Sequence, residues 1–157
     1  MASPAISWKE PTRAARWPAA ALLALVLGAC VTMPEQEPAT SADAAHAETL
    51  YKNGDLDQAA AAFTALAESS GGDAAAHYRL RAAESLREAG DLEGAAHVLG
   101  DLKRRRLHGN EQIRLDLLDA EIALKHGDAA QAQALLTTPV DQLPENLRVR
   151  ALELAAR

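Results

Sequence analysis

The chain has 157 residues, of which 48% are apolar, 24% charged and 3% aromatic, and its formal charge is −6. This length supplies the core of one ordinary domain but not of two well-buried ones. The scarcity of aromatic residues argues against a sheet, and the acidic balance argues against nucleic acid as a partner. Alanine supplies roughly a quarter of the chain, which favours an all-α fold.

The first segment, residues 1–29, has the layout of an export signal. Three cations, Lys9, Arg13 and Arg16, precede an apolar stretch over 19–27 that is too short to span a bilayer stably. Small residues follow this stretch, as expected near a cleavage site. We therefore predict that residues 1–29 are a signal peptide.

The next residues contain the only cysteine of the chain. The sequence Leu27-Gly28-Ala29-Cys30 resembles the lipobox of bacterial lipoproteins, in which the cysteine is acylated and becomes the first mature residue. The alternative is a small buried thiol that behaves as an ordinary hydrophobe. The resemblance implies lipidation of Cys30, and Val31 after it implies an outer-membrane anchor facing the periplasm. Residues 30–41 contain Pro34 and Pro38 and are predicted to form a flexible tether.

Residues 42–157 contain a repeat that becomes visible when the Gly-Asp dipeptides are aligned. The steps from Gly54 to Gly90 and from Gly90 to Gly127 are 36 and 37 residues, close to the period of about 34 residues of tetratricopeptide repeats. Seven positions match at identical offsets in each copy: Ala47, Leu50, Gly54, Asp55, Leu56, Ala59 and Phe63; Ala83, Leu86, Gly90, Asp91, Leu92, Ala95 and Leu99; Ala120, Ala123, Gly127, Asp128, Ala129, Ala132 and Leu136. The pattern resembles a degenerate tetratricopeptide array, and we predict a TPR-like helical-repeat solenoid of about three helix pairs.

The local chemistry of each copy fits a helix, a turn and a second helix. The glycines are predicted to end the first helices in a left-handed conformation, and the aspartates after them to be N-caps. Gln58 and Gln131 complete a capping-box pattern in the first and third copies, whereas Gly94 interrupts it in the second. The predicted helices cover 42–53, 55–68, 73–89, 91–105, 110–126 and 128–137, with a seventh beginning near Glu145. Asp73 and Asn110 are predicted caps of the third and fifth helices.

The seventh helix carries a new apolar stripe, Leu147, Ala151 and Leu154, close to the last residue. We expect either that a second chain covers this stripe or that the sequence is the front part of a longer protein. The second alternative is favoured, since stacked repeats bury their faces against neighbours.

The sequence offers little catalytic chemistry. The five histidines, at positions 46, 77, 97, 108 and 126, lack the spacing of helical metal sites and are predicted to face solvent. Asp116 and Asp119 are predicted to lie on a solvated helix face near Arg114, without the burial that paired catalytic carboxylates need. We therefore predict no catalytic residues, no metal, no cofactor and no enzyme activity.

One basic run, Lys103-Arg104-Arg105-Arg106, departs from the acidic balance. Its simplest role is to complement the dipole at the C-terminal turn of the fourth helix. The functional alternative is an anchor for anionic peptidoglycan, lipid headgroups or an acidic partner.

The lipobox, the tether and the degenerate repeats together resemble the N-terminal region of the LpoA-type lipoprotein activators of class A penicillin-binding proteins. Local runs are similar too, notably RLRAAESLREAGDLEGAAHVLGDL and RLDLLDAEIALKHGDAAQAQALL. The resemblance implies an outer-membrane lipoprotein that binds and activates a class A penicillin-binding protein, with the repeats as an arm. The alternative is a general periplasmic scaffold in envelope assembly. Solenoid geometry predicts that the first helices line the binding surface through Arg79, Glu84, Arg87, Arg114 and Glu121.

The lipid-anchor prediction is tested by Cys30→Ala. We expect this variant to keep a folded helical region but to be neither cleaved by the lipoprotein peptidase nor lipidated, because the acylated thiol is absent. Fractionation of cells followed by mass spectrometry of the N-terminus measures both effects. Recovery of Cys30→Ala in the outer membrane with the wild-type protein would refute the anchor.

Overall fold

The structure is a computed structural model that describes residues 40–157, apart from Asp101, Lys103 and the side chain of Arg105. The predicted signal peptide, Cys30 and residues 30–39 of the predicted tether lie outside the described residues.

The described residues form an all-α fold, as predicted from the alanine content. Seven α-helices follow one another along these residues: α1 (Ser41–Asn53), α2 (Leu56–Ser69), α3 (Gly72–Glu88), α4 (Leu92–Gly100), α5 (Asn110–Lys125), α6 (Ala129–Leu135) and α7 (Glu145–Ala155). Single 3-10 turns lie at Arg104–Arg106 and Val140–Gln142, and no strand occurs in this part of the chain. Within these described stretches, none of the helices combines the length and the apolar character that crossing a membrane requires.

The helices bury a continuous series of small apolar clusters. Helix α2 packs against α1 and α3, α3 packs also against α4 and α5, and α5 packs against α6 and α7. The first cluster joins α1, α2 and α3, the second joins α3, α4 and α5, and the third joins α5, α6 and α7. The stripe of Leu147, Ala151 and Leu154 is buried in the third cluster. The expectation that this stripe lacks a partner within the chain is therefore wrong.

The aligned alanines of the three copies are all buried between the helices. Ala47, Ala83 and Ala120 of the first helices are fully buried. Ala59, Ala95 and Ala132 of the second helices are 0 to 2% exposed. An alanine at such a position lets two helix backbones come together without a bulky side chain between them. The sequence alignment therefore identifies equivalent core positions.

The three Gly-Asp turns have the same geometry. Gly54, Gly90 and Gly127 have φ angles of 83°, 88° and 80°, in the left-handed region that glycine enters at little cost. After each glycine, the aspartate N–H donates to a carbonyl five residues earlier, on Leu50, Leu86 or Ala123, at 2.8 to 3.0 Å. This pattern is the Schellman motif, which satisfies carbonyl groups at the end of the first helix.

The aspartates after these glycines differ as caps. The Asp91 carboxylate accepts from the Gly94 N–H at 2.8 Å, and the Asp128 carboxylate accepts from the Gln131 N–H at 2.9 Å. Asp55 occupies the same position but its side chain makes no capping bond, so the predicted capping box with Gln58 is not formed. A complete capping box lies instead at the start of α1, between Thr40 and Asp43.

Two other predicted caps are wrong by one or two residues. Helix α3 begins at Gly72 with Gly71 as its N-cap, so Asp73 lies inside the first turn. Helix α5 begins at Asn110 itself, with Gly109 as the N-cap. Flexible glycines before both helices let the chain enter the helix earlier than the side-chain capping rule predicts.

The fourth helix is shorter than predicted, since the prediction extends it to residue 105 and the structure ends it at Gly100. Glycine weakens a helix, and the buried side chains of Leu102 and Leu107 hold the following link against the second cluster. Arg104, Arg105 and Arg106 therefore lie outside α4, and their predicted role at its helix dipole is wrong. Helix α6 also ends early, at Leu135, before two β-branched threonines and Pro139.

The close approach at Ala95 is tested by Ala95→Leu. Three extra carbon atoms at a fully buried site force α3 and α4 apart, so we expect a loss of about 1 to 3 kcal/mol in the free energy of unfolding. Urea denaturation followed by circular dichroism measures the loss. The matched control is Ala61→Leu on the exposed face of α2, where the change is expected to stay within about 0.5 kcal/mol. Equal losses in both variants would contradict the assignment of Ala95 as a helix contact.

Candidate functional site

The odd-numbered helices α1, α3, α5 and α7 share a charged surface, which we call the odd-helix face. Each of the first three carries a glutamate directly after its aligned alanine, and each glutamate accepts from an arginine on the next odd-numbered helix. The three ion pairs are Glu48–Arg81, Glu84–Arg114 and Glu121–Arg150. A ladder of equivalent ion pairs therefore runs across four helices.

The first two ion pairs of the ladder are bidentate. Arg81 donates from Nε and Nη2 to the two carboxylate oxygens of Glu48, at 2.9 and 2.7 Å. Arg114 donates from Nε to Glu84 Oε1 at 2.6 Å and from Nη2 to Glu84 Oε2. This fork geometry combines charge with two directed hydrogen bonds, so it fixes the position of each side chain as well as attracting it.

Glu84 is the most buried charge in the described part of the chain, at 5% exposure. It receives Arg81 from its own helix, at 3.3 Å, as well as Arg114 from α5. A buried carboxylate costs free energy unless such partners satisfy its lone pairs. Glu84 thus joins the first two ion pairs of the ladder into one network.

Aromatic rings support the same network on the α1 side. The Arg81 guanidinium lies over the rings of Tyr51 and Phe63, at 4.3 and 5.0 Å from their centroids. Burial of Arg81 opposes its charged form, but the hydrogen bonds and charge of Glu48 and the nearby charge of Glu84 raise its pKa above the ordinary value. Arg81 is therefore held as a permanent cation between rings and carboxylates.

Tyr51 also connects α1 to the far end of α3. Its hydroxyl donates to Glu88, which in turn accepts from Arg87 at 2.7 Å. Burial, together with the hydrogen bond to Glu88, raises the pKa of Tyr51 to about 12. The phenol is thus a hydrogen-bond donor throughout the physiological pH range.

A groove of about 340 Å³ opens at this surface. Its lining is contributed by all four odd-numbered helices, and it includes Tyr51, Arg81, Glu84, Arg87, Glu88, Arg114, Asn146, Leu147 and Arg150. Four arginines and two glutamates line the groove, and Glu48 and Glu121 beside it pair with two of these arginines, so each cation has a carboxylate partner. An anionic group would therefore bind only where an arginine has donors that its carboxylate partner leaves unsatisfied.

The third ion pair of the ladder is weaker than the others. Arg150 donates only from Nη2, to Glu121 at 2.8 Å, and its buried Nε has no acceptor in the described part of the chain. Burial and the neighbouring charge of Arg87 lower the pKa of Arg150, with Glu121 acting in the opposite direction. The α7 end of the groove therefore holds more cationic donors than acceptors.

Of the five residues predicted to line the binding surface, four lie on the odd-helix face. Glu84, Arg87 and Arg114 line the groove, and Glu121 supports Arg150 at its edge. Arg79 does not join them, because it lines a separate cavity between α2 and α3. On a helix, Arg79 is turned away from Arg81 and Glu84 by its position in the 3.6-residue period.

Sequence reasoning missed six groups of this surface: Glu48, Tyr51, Arg81, Glu88, Asn146 and Arg150. The sequence does carry a signal for Glu48, since a glutamate follows the aligned alanine in every copy. The arginines occupy no common offset from the glycines, so their pairing depends on side-chain reach across helices. That distance is visible only once the helices are packed.

The basic run makes contacts within the fold. Arg104 pairs with Asp119 on α5, and Arg106 Nη1 lies 3.3 Å from Asp73 on α3. Burial raises the pKa of Asp119, while Arg104 acts against this shift. Burial also raises the pKa of Asp116. The prediction that these two aspartates lie on a solvated helix face near Arg114 is therefore wrong.

The histidines show one unexpected contact. Four of the five are exposed, as predicted, whereas His77 is partly buried with its Nδ1 2.5 Å from Glu111. Among the described residues, no group of three or more histidine, cysteine, aspartate or glutamate side chains is arranged to hold a metal ion.

A third cavity, which is apolar and has a volume of about 200 Å³, lies between α5, α6 and α7. Leucine, isoleucine and valine side chains dominate its lining, together with Asp116 and the threonines at 137 and 138. It is separate from the ladder and shares only α5 and α7 with it.

Comparisons with known proteins return no relatives. No protein-family model matches the chain, and neither a curated protein nor a solved structure is significantly similar to it. The arrangement of the residues themselves is therefore the basis for a function.

The buried network is tested by Glu84→Ala. This change leaves Arg114 and Arg81 without their shared acceptor, so we expect a loss of about 3 to 5 kcal/mol in the free energy of unfolding. Urea denaturation in low salt measures it. The control is Glu88→Ala, which removes an exposed carboxylate. We expect this variant to lose about 1 kcal/mol or less in the free energy of unfolding. A loss at Glu84 no larger than that at Glu88 would show that the network does not support the fold.

Proposed function

We propose that this protein is an outer-membrane lipoprotein that regulates peptidoglycan synthesis by binding and activating a class A penicillin-binding protein. Cys30 carries the lipid anchor, and the helical region is a TPR-like solenoid that acts as arm and docking module. It acts by binding and catalyses no reaction.

The observation that carries the proposal is the odd-helix face. Four helices present arginine, glutamate and tyrosine side chains on one surface around a single groove. Arginine and tyrosine are enriched among the residues that dominate protein–protein binding energy. An extended surface built by equivalent helices of successive repeats is also how solenoid proteins engage other chains.

The TPR-like assignment rests on the equivalence of the three copies. Each has a buried alanine in the first helix, a Schellman turn at the glycine and a second buried alanine after it. The period of 36 to 37 residues lies near that of tetratricopeptide repeats, which stack in this manner. Lipidation at Cys30 would hold such an array at the outer membrane, from which it would extend into the periplasm towards a cell-wall synthase.

The alternative function is a general periplasmic scaffold for envelope assembly. The same surface favours it, because a polar groove on a helical array serves many kinds of partner. The two functions differ in whether binding changes the rate of glycan polymerisation.

The test is co-purification of the full chain with a class A penicillin-binding protein from the same cell, followed by an assay of peptidoglycan synthesis. We expect the wild-type protein to bind and to raise the rate of synthesis. Arg87→Glu reverses a charge in the groove and is expected to weaken binding about tenfold, the effect of losing a moderate interface contact.

The matched control is Lys125→Glu, which makes the same charge change at an exposed position near the end of α5. We expect Lys125→Glu to bind as the wild type does. Binding without stimulation would favour the scaffold, and absence of binding would reject the penicillin-binding protein as partner. Equal weakening by both variants would remove the odd-helix face as the docking surface.

A further inference from the structure

The α7 end of the odd-helix face contains hydrogen-bond donors that the fold leaves unsatisfied. The Nε atoms of Arg87 and Arg150 are both buried, and neither has an acceptor among the described residues. Each arginine makes an ion pair through Nη2, Arg87 with Glu88 and Arg150 with Glu121. An unsatisfied buried donor is costly, so two together indicate a position where an acceptor is missing.

The two guanidinium groups also influence each other. They line the same groove, and the charge of Arg87 disfavours the charged form of Arg150. The contrast with Arg81 and Arg114 is clear, because those two side chains satisfy their Nε atoms with bidentate carboxylates. An added carboxylate between Arg87 and Arg150 would supply oxygen atoms for the donors that Glu88 and Glu121 leave unsatisfied.

We propose that the groove binds a glutamate- or aspartate-bearing peptide segment of a partner protein, whose carboxylate is held between Arg87 and Arg150. The proposal rests on the proposed function of this face as a protein-binding surface and names the chemistry that the surface recognises. The carboxylate oxygens of the peptide accept from the two guanidinium groups, and both side chains must shift for the buried Nε donors to reach them.

The lining of the groove favours a peptide over a free anion. It comes from helices α1, α3, α5 and α7, and the Tyr51 ring, the Asn146 amide and the Leu147 side chain accompany the arginines. These groups provide apolar contact and hydrogen bonding beside the charges, which a peptide backbone and its side chains use and a small ion does not.

The experiment measures fluorescence anisotropy of two labelled peptides with the purified full chain at low salt. One peptide alternates alanine with glutamate, and the other alternates alanine with glutamine. We expect the glutamate peptide to bind at least tenfold more tightly. Arg87→Gln is expected to weaken its binding about tenfold, because charge-assisted hydrogen bonds to the carboxylate are lost.

Arg87→Gln is the preferred variant because its partner Glu88 is exposed and keeps its bond to Tyr51, so the fold retains its buried network. The control Lys125→Gln removes one positive charge at an exposed position outside the groove and is expected to leave binding unchanged. Arg87→Lys keeps the charge without the planar fork and is expected to bind at an intermediate level.

Equal binding of the two peptides, or equal weakening by Arg87→Gln and Lys125→Gln, would overturn the proposal. Competition by inorganic phosphate or by isolated peptidoglycan that is stronger than competition by unlabelled glutamate peptide would also overturn it. Binding of the penicillin-binding protein without binding of the glutamate peptide would reject this ligand class but keep the proposed function. Binding of the glutamate peptide without binding of the penicillin-binding protein would support this ligand class but reject the proposed function.

Discussion

Close approach of helix backbones at buried alanines is the constraint on which the structure depends. With very few aromatic residues, the chain fills its interior by bringing helices together instead of by inserting large side chains. The distance between the odd-numbered helices is then short enough for an arginine on one to reach a glutamate on another. Packing in the core and the charged ladder on the surface therefore have a common cause.

Much of the fold was predictable from sequence because its signals are local. Glycine followed by aspartate at a fixed period identifies the turns, and alanines at fixed offsets identify the contacts between helices. The errors occur where non-local contacts override local preference. The link after Gly100 leaves the helix because Leu102 and Leu107 enter the core, and Asp119 is buried by the packing around α5, where it pairs with Arg104.

The candidate site was predictable only in part for the same reason. The sequence identifies which helices line the face, and four of the five named residues lie there. It does not reveal that Glu84 is buried between two arginines, since burial of a charge depends on which side chains meet across separate helices. The sequence also does not reveal that the Nε atom of Arg150 lacks an acceptor among the described residues, because a missing partner leaves no pattern in the sequence.

The ladder connects helices that are not neighbours in sequence, and this has a consequence for how the domain unfolds. Helix arrays held together only by contacts between adjacent helices can fray one unit at a time. Here, loss of α5 would leave the Glu84 carboxylate without Arg114 and Arg150 without Glu121, so each neighbouring helix would retain a charge without its main partner. Partly unfolded forms are thereby made unfavourable, and the charged face gives the array a cooperativity that its small apolar clusters alone would not supply.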